Sequence, residues 1–150
     1  MLSRQDAIDL LKESKIILNL YSENDDKLKF KLQITQSNKI EFKLSNHHQF
    51  NNIGLLRLDY NGRHINPMTI TEQVPEILHK YVGKFFGIDE HHIHIYVENY
   101  GLNWALPLNE YGFPIKKISS QGDVVSAIKG FQKEINLKTE LIFPFSLFVV

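Results

Sequence analysis

Alternation with a period of two dominates the first half of the chain. Leu28, Phe30, Leu32 and Ile34 alternate with Lys27, Lys29, Lys31 and Gln33, the period of a strand that buries one face. Residues 39–44 repeat it, with Ile40, Phe42 and Leu44 set against Lys39, Glu41 and Lys43, and a further strand-like run covers 15–21. Asp25 with Asp26, and Ser37 with Asn38, are turn formers between these runs, so an antiparallel meander is expected. Ahead of it, Ser3 with Asp6 resembles a capping box, and Ala7, Leu10 and Leu11 recur at helical spacing. A short helix over 3–13 follows from this.

A polar stretch at 46–52 reads as a loop. The run 54–60 then ends in Asn61-Gly62, a hairpin signal because both residues tolerate positive φ. The returning strand would carry 63–66 and stop at Pro67. Pro75 opens a helical pattern through Ile77, Leu78, Tyr81, Val82 and Phe85, closed by Gly87. Strands are expected at 92–98 and 104–108, and a second helix over 122–135 with Val124, Val125, Ile128 and Phe131 as its buried stripe. The apolar stretch 141–150, broken by Pro144 and Ser146, reads as a buried or edge strand. The expected class is α+β: an antiparallel sheet or partly open barrel with two or three helices packed on it, forming a single domain over 1–150.

Charge and cysteine content narrow the chemistry. The 17 Lys plus Arg balance 17 Asp plus Glu, which argues against the global basic field of a protein that coats nucleic acid non-specifically. With no cysteine, disulfides and thiolate metal sites drop out, and a transition metal would need histidine, carboxylate or water. Residues 1–14 mix Arg4, Asp6, Asp9, Lys12 and Glu13 with apolar positions, unlike a secretory signal, and no apolar run approaches a membrane span. Cytoplasmic residence without a membrane partner is the expectation.

Strand parity gathers the candidate functional residues. Arg57 and Asp59 share one face opposite Leu56 and Leu58; His64 and Asn66 share a face across the expected hairpin. His92, His94, Tyr96 and Glu98 point one way, while Ile93, Ile95 and Val97 enter the core; His91 points away from His92. Such faces are commonly just the solvated side of a half-buried sheet. The earlier strands, however, present interchangeable lysines there. This group presents imidazoles, a guanidinium, carboxylates and a phenol, the inventory of acid, base and anion-binding chemistry. His47 and His48, in the polar stretch, are expected to be solvated, and His79 to lie on a helix surface.

Three segments together resemble an uncharacterised group of small bacterial proteins classed as a domain of unknown function. They are Leu56-Arg57-Leu58-Asp59-Tyr60-Asn61-Gly62-Arg63-His64-Ile65-Asn66-Pro67, His92-Ile93-His94-Ile95-Tyr96, and Tyr100-Gly101-Leu102-Asn103-Trp104-Ala105-Leu106-Pro107-Leu108. The chain departs from the pattern by a longer, helical insert between Pro67 and His92. The resemblance implies a site and names no reaction.

The leading expectation is metal-independent RNA cleavage of the small bacterial toxin kind, without a cofactor. His64 and His94 would serve as acid and base, Arg57 would clamp phosphate, Tyr96 would donate to it, and Asp59 or Glu98 would orient an imidazole. His92 and Asn66 would help bind the substrate, and Trp104 and Tyr100 could stack a base, although aromatics here are more often core. The partners would be RNA and an inhibitor or antitoxin protein. One rival is a metal-dependent enzyme in which His92, His94 and Glu98 mimic the first histidine motif of the cupins, completed by His64. Against it, no histidine follows His94 and the flanking glycine spacing fails. The other rival is a non-catalytic module of a mobile-element system, binding nucleic acid or protein through Arg57, Lys80, Lys84, Lys116 and Lys117. Phosphate-loop, serine-elbow and His-Glu-x-x-His motifs are absent.

Overall fold

The computed structural model describes residues 13–25, 27–37 and 41–142. Its strands and helices run β1 (Glu13–Tyr21), β2 (Lys29–Ser37), β3 (Glu41–His48), β4 (Gly54–Tyr60), β5 (His64–Ile65), α1 (Glu76–His79), β6 (Phe85–Phe86), β7 (His92–Val97), β8 (Gly101–Pro107), α2 (Leu108–Tyr111) and α3 (Gln121–Glu134). Six strands form one antiparallel sheet in the order β1-β2-β3-β4-β7-β8, while β5 and β6 pair separately. With three helices beside this open sheet among the described residues, the fold is α+β. The helix expected over 3–13 and most of the stretch 141–150 lie outside the described residues.

Register follows from burial. Leu44, Leu58, Ile93 and Leu106 form one row across β3, β4, β7 and β8, and all four are buried. They join Val124, Ala127, Ile128 and Phe131 of α3 in a single apolar core. Each full burial is worth roughly 2 kcal/mol, and a one-residue slip would drive charged neighbours into that core. At the start of α3 the Ser120 side chain accepts from the Asp123 N–H at 3.2 Å, and Asp123 Oδ2 accepts from the Ser119 N–H at 2.8 Å. Among the described residues, no helix is long and apolar enough to cross a membrane.

Three expected elements differ. Residues 63–66 do not return along β4, because β3 and β7 already occupy both of its edges; His64 and Ile65 pair instead with Phe86 and Phe85. Asn61 does take the positive φ of 58° that its turn signal suggests. The helix opened by Pro75 stops at His79: Gly83 adopts φ 66°, and Phe85–Phe86 leave helical geometry to pair with β5. Finally, His47 and His48 belong to β3 rather than to a loop, since β3 keeps pairing with β2 as far as Phe30↔His48. Both are half-buried.

Candidate functional site

On the sheet face opposite the core, parity produces two adjacent rows. One runs Ser45, Arg57, His94, Ala105; the other runs Lys43, Asp59, His92, Pro107. The face is not open to solvent. The β5–β6 segment lies over it, with Phe86 and His92 ring centroids 4.5 Å apart and those of His64 and His94 4.4 Å apart. Asn66 fastens that cover: it accepts from the Ala105 N–H at 2.9 Å and donates to the Ala105 carbonyl at 2.8 Å, as a neighbouring strand would. It also donates to the Tyr81 carbonyl at 3.0 Å. His92 and His94 are therefore 0% exposed and Asp59 1%, whereas the Arg57 side chain keeps 30%.

The hydrogen bonds orient both buried imidazoles the same way. His92 Nδ1 lies 2.8 Å from the Glu90 carbonyl, and His94 Nδ1 lies 2.7 Å from the Leu102 carbonyl. A carbonyl can only accept, so each Nδ1 carries the hydrogen, and in the neutral form of each ring the Nε2 lone pair turns inward. Both aim at Asp59 Oδ2, His94 Nε2 at 3.3 Å and His92 Nε2 at 3.6 Å. His92 Nε2 has no hydrogen-bond partner. Three electron-rich atoms thus converge in a buried place, facing one cation: Arg57 donates from Nε to Asp59 Oδ1 at 2.8 Å and from Nη2 to Oδ2 at 3.0 Å, with Nη2 also 2.9 Å from His94 Nε2.

Burial alone would raise the Asp59 carboxyl, but the Arg57 guanidinium, which donates to both of its oxygens, outweighs this and holds the group well below the usual carboxylate range. Burial lowers His94 despite the neighbouring Asp59, with Arg57 and His92 adding to the depression. Burial, together with His94 and His92, lowers His64 to about 4. The bonds of its Nε2–H to the Asn103 carbonyl at 2.8 Å and to Asn66 Oδ1 at 3.0 Å only partly oppose this. A carboxylate among imidazoles is a ligand set for a borderline-soft divalent metal. Asp59, His92 and His94 each offer a ligand atom, all within 4.8 Å of one another.

Of the residues singled out by sequence, Arg57, Asp59, His64, Asn66, His92 and His94 come together. Tyr96 does not: it follows a register shift between β7 and β8 after Ile95 and is 46% exposed. Glu98 lies beyond the end of β7 on the surface, so Asp59 supplies the carboxylate that the cupin-like spacing assigned to it. Trp104 is 0% exposed in the core, with the half-buried Tyr100 ring edge-on to it at 5.9 Å, and presents no face for a base. His91, which points away from His92, accepts the Asn61 N–H at 3.0 Å. His79 is exposed on α1.

Sequence reasoning missed the Phe86 cover and the Ser45–His47 pair, whose Oγ and Nε2 are 2.9 Å apart beside Arg57. Extending the β3 alternation past Leu44 would have found the pair. The carbonyls of Glu90 and Leu102 have no side-chain signature.

The fold and site thus define an α+β protein with a covered Asp-His-His cluster on the polar face of an antiparallel sheet. The chain belongs to a family of unknown function, designated DUF6978, whose model matches residues 2–137. Comparison with curated proteins and with solved structures finds no match.

Proposed function

We propose that this chain binds a divalent transition metal, of the zinc class, through Asp59 Oδ2, His92 Nε2 and His94 Nε2. One observation carries the reading: two fully buried imidazoles are pinned by backbone carbonyls so that both Nε2 lone pairs face one carboxylate oxygen, one of them without a partner. Metal-ligating histidines are held in this way, through the ring nitrogen that does not ligate. The two carboxylate–imidazole separations of 3.3 and 3.6 Å are close to the edges, roughly 3.3 Å long, of a tetrahedron with metal–ligand bonds of about 2.0 Å, and the three ligand atoms together lie within 4.8 Å of one another. Three protein ligands leave a fourth position, and Arg57 and the half-buried His64 border the cluster where exposure remains.

Titration of metal-free protein with zinc, followed by calorimetry and elemental analysis, tests this. One equivalent is expected, lost in His92→Ala and His94→Ala. Stoichiometric zinc retained by both variants would remove the assignment.

A second reading, metal-independent RNA cleavage by a cytoplasmic toxin-like protein with RNA and an inhibitor protein as partners, is favoured by the contact of His64 with His94 beside Arg57. It requires β5–β6 to lift, because His94 is fully covered. Purified protein would then cleave RNA in EDTA, and His64→Ala and His94→Ala would each stop it; cleavage only when metal is restored would count against this reading.

A further inference from the structure

The place between Asp59 Oδ2 and His94 Nε2 is already held by a cation, the Nη2 group of Arg57, 3.0 Å from the first and 2.9 Å from the second. We propose, on the basis of the metal reading above, that this guanidinium is a resident substitute that zinc displaces outward. The displaced guanidinium and the metal then bind an oxyanion of the phosphate class together.

Displacement follows from shared lone pairs. A metal on Asp59 and His94 needs the electrons that Arg57 now engages, and two cations cannot occupy one buried place. Arg57 also has a way out, since its side chain is 30% exposed while the other three are at most 1% exposed. The anion follows from charge. A divalent ion and a guanidinium then stand against the single Asp59 carboxylate, and Lys43, next to Asp59 in its row, is itself paired with Glu41 at 2.9 Å. The excess positive charge sits where the fourth metal position meets solvent, and a guanidinium beside it offers the planar fork that phosphate oxygens fit.

Calorimetric titration with zinc alone compares the wild type with Arg57→Gln. The variant should bind at least about tenfold more tightly, since no resident cation must leave. Equal affinity would overturn the displacement. Because Arg57→Gln leaves Asp59 without its ion pair and can unfold the chain, the wild type supplies a second measurement. The Arg57 Nε–H resonance, shielded by its bond to Asp59 in metal-free protein, should shift and exchange with water as zinc binds; an unmoved resonance in zinc-loaded protein sinks the idea. Inorganic phosphate should then bind zinc-loaded wild type but not metal-free protein, and zinc-loaded Arg57→Gln at least about tenfold more weakly. Equal phosphate affinity in the two loaded proteins overturns the anion site. No zinc binding by the wild type overturns the metal reading itself and this inference with it.

Discussion

His92 Nε2 faces Asp59 Oδ2 across 3.6 Å without a hydrogen bond between them, while the same ring gives its Nδ1 hydrogen to the Glu90 carbonyl. An unpartnered buried nitrogen costs about 1–3 kcal/mol, so the arrangement is poor as scaffolding alone. His92→Leu, of similar volume and packed against Phe86, should therefore leave metal-free stability within about 1 kcal/mol of wild type. Zinc should raise the melting temperature of the wild type and leave that of the variant unmoved. Thermal unfolding in EDTA and in zinc checks both halves.

Acid should weaken the metal-free fold in two successive windows. His64 ionises near 4 when folded against 6.5 in the open chain, so the unfolded state binds more protons between those values. Its contribution is complete above 6.5 and declines as pH falls toward 4; His94, His47 and His91, also lowered, add in the same direction. Asp59 is depressed as a carboxylate, so its contribution is complete above about 3.9 and is lost as pH falls below that. Urea midpoints in EDTA should drop from pH 7 to 4.5 and again below 4. His64→Gln should flatten the first decline and spare the second.

The lone tryptophan gives an independent check on the RNA reading. Trp104 is wholly buried and its indole N–H has no partner, so its emission should be blue-shifted and should not change when RNA is added. A red shift or quench on RNA addition would mean that the ring is reachable after all. Trp104→Ala should cost about 3–5 kcal/mol, while Trp104→Phe should cost much less, because it keeps an aromatic and removes the unsatisfied donor.

The alternation of β2, β3, β4 and β7 was legible because each of these strands buries one face in the same apolar core, and that pressure writes a period of two into the sequence. It was enough to place Arg57 with Asp59 and His92 with His94. What lay beyond it was long-range competition. Asn61-Gly62 carries a hairpin signal, yet nothing local records that β7, some thirty residues later, takes the free edge of β4. Likewise Ile77, Val82 and Phe85 repeat at helical spacing but are exposed, so their period reports no buried face. Burial of the histidines was illegible for the same reason: the cover comes from β5 and β6, two residues each, too short to leave a pattern.

Asn66 gives the most local test of that cover. Its side chain meets both the N–H and the carbonyl of Ala105, so Asn66→Ala orphans two buried backbone groups of β8 and frees the Tyr81 carbonyl. The expected loss is about 2–4 kcal/mol. Asn66→Asp should be at least as damaging, because a carboxylate cannot donate to either carbonyl and adds a buried charge beside Ala105. The lesion should also be local. Hydrogen exchange should quicken at the Ala105 amide and across 64–66 and 84–86, while the amides paired between β2 and β3 keep their protection. Uniform acceleration throughout the sheet would mean that the β5–β6 segment is part of one cooperative unit with it. Selective acceleration would establish a cover that opens on its own, the motion by which the His92–Asp59–His94 cluster could be reached from solvent.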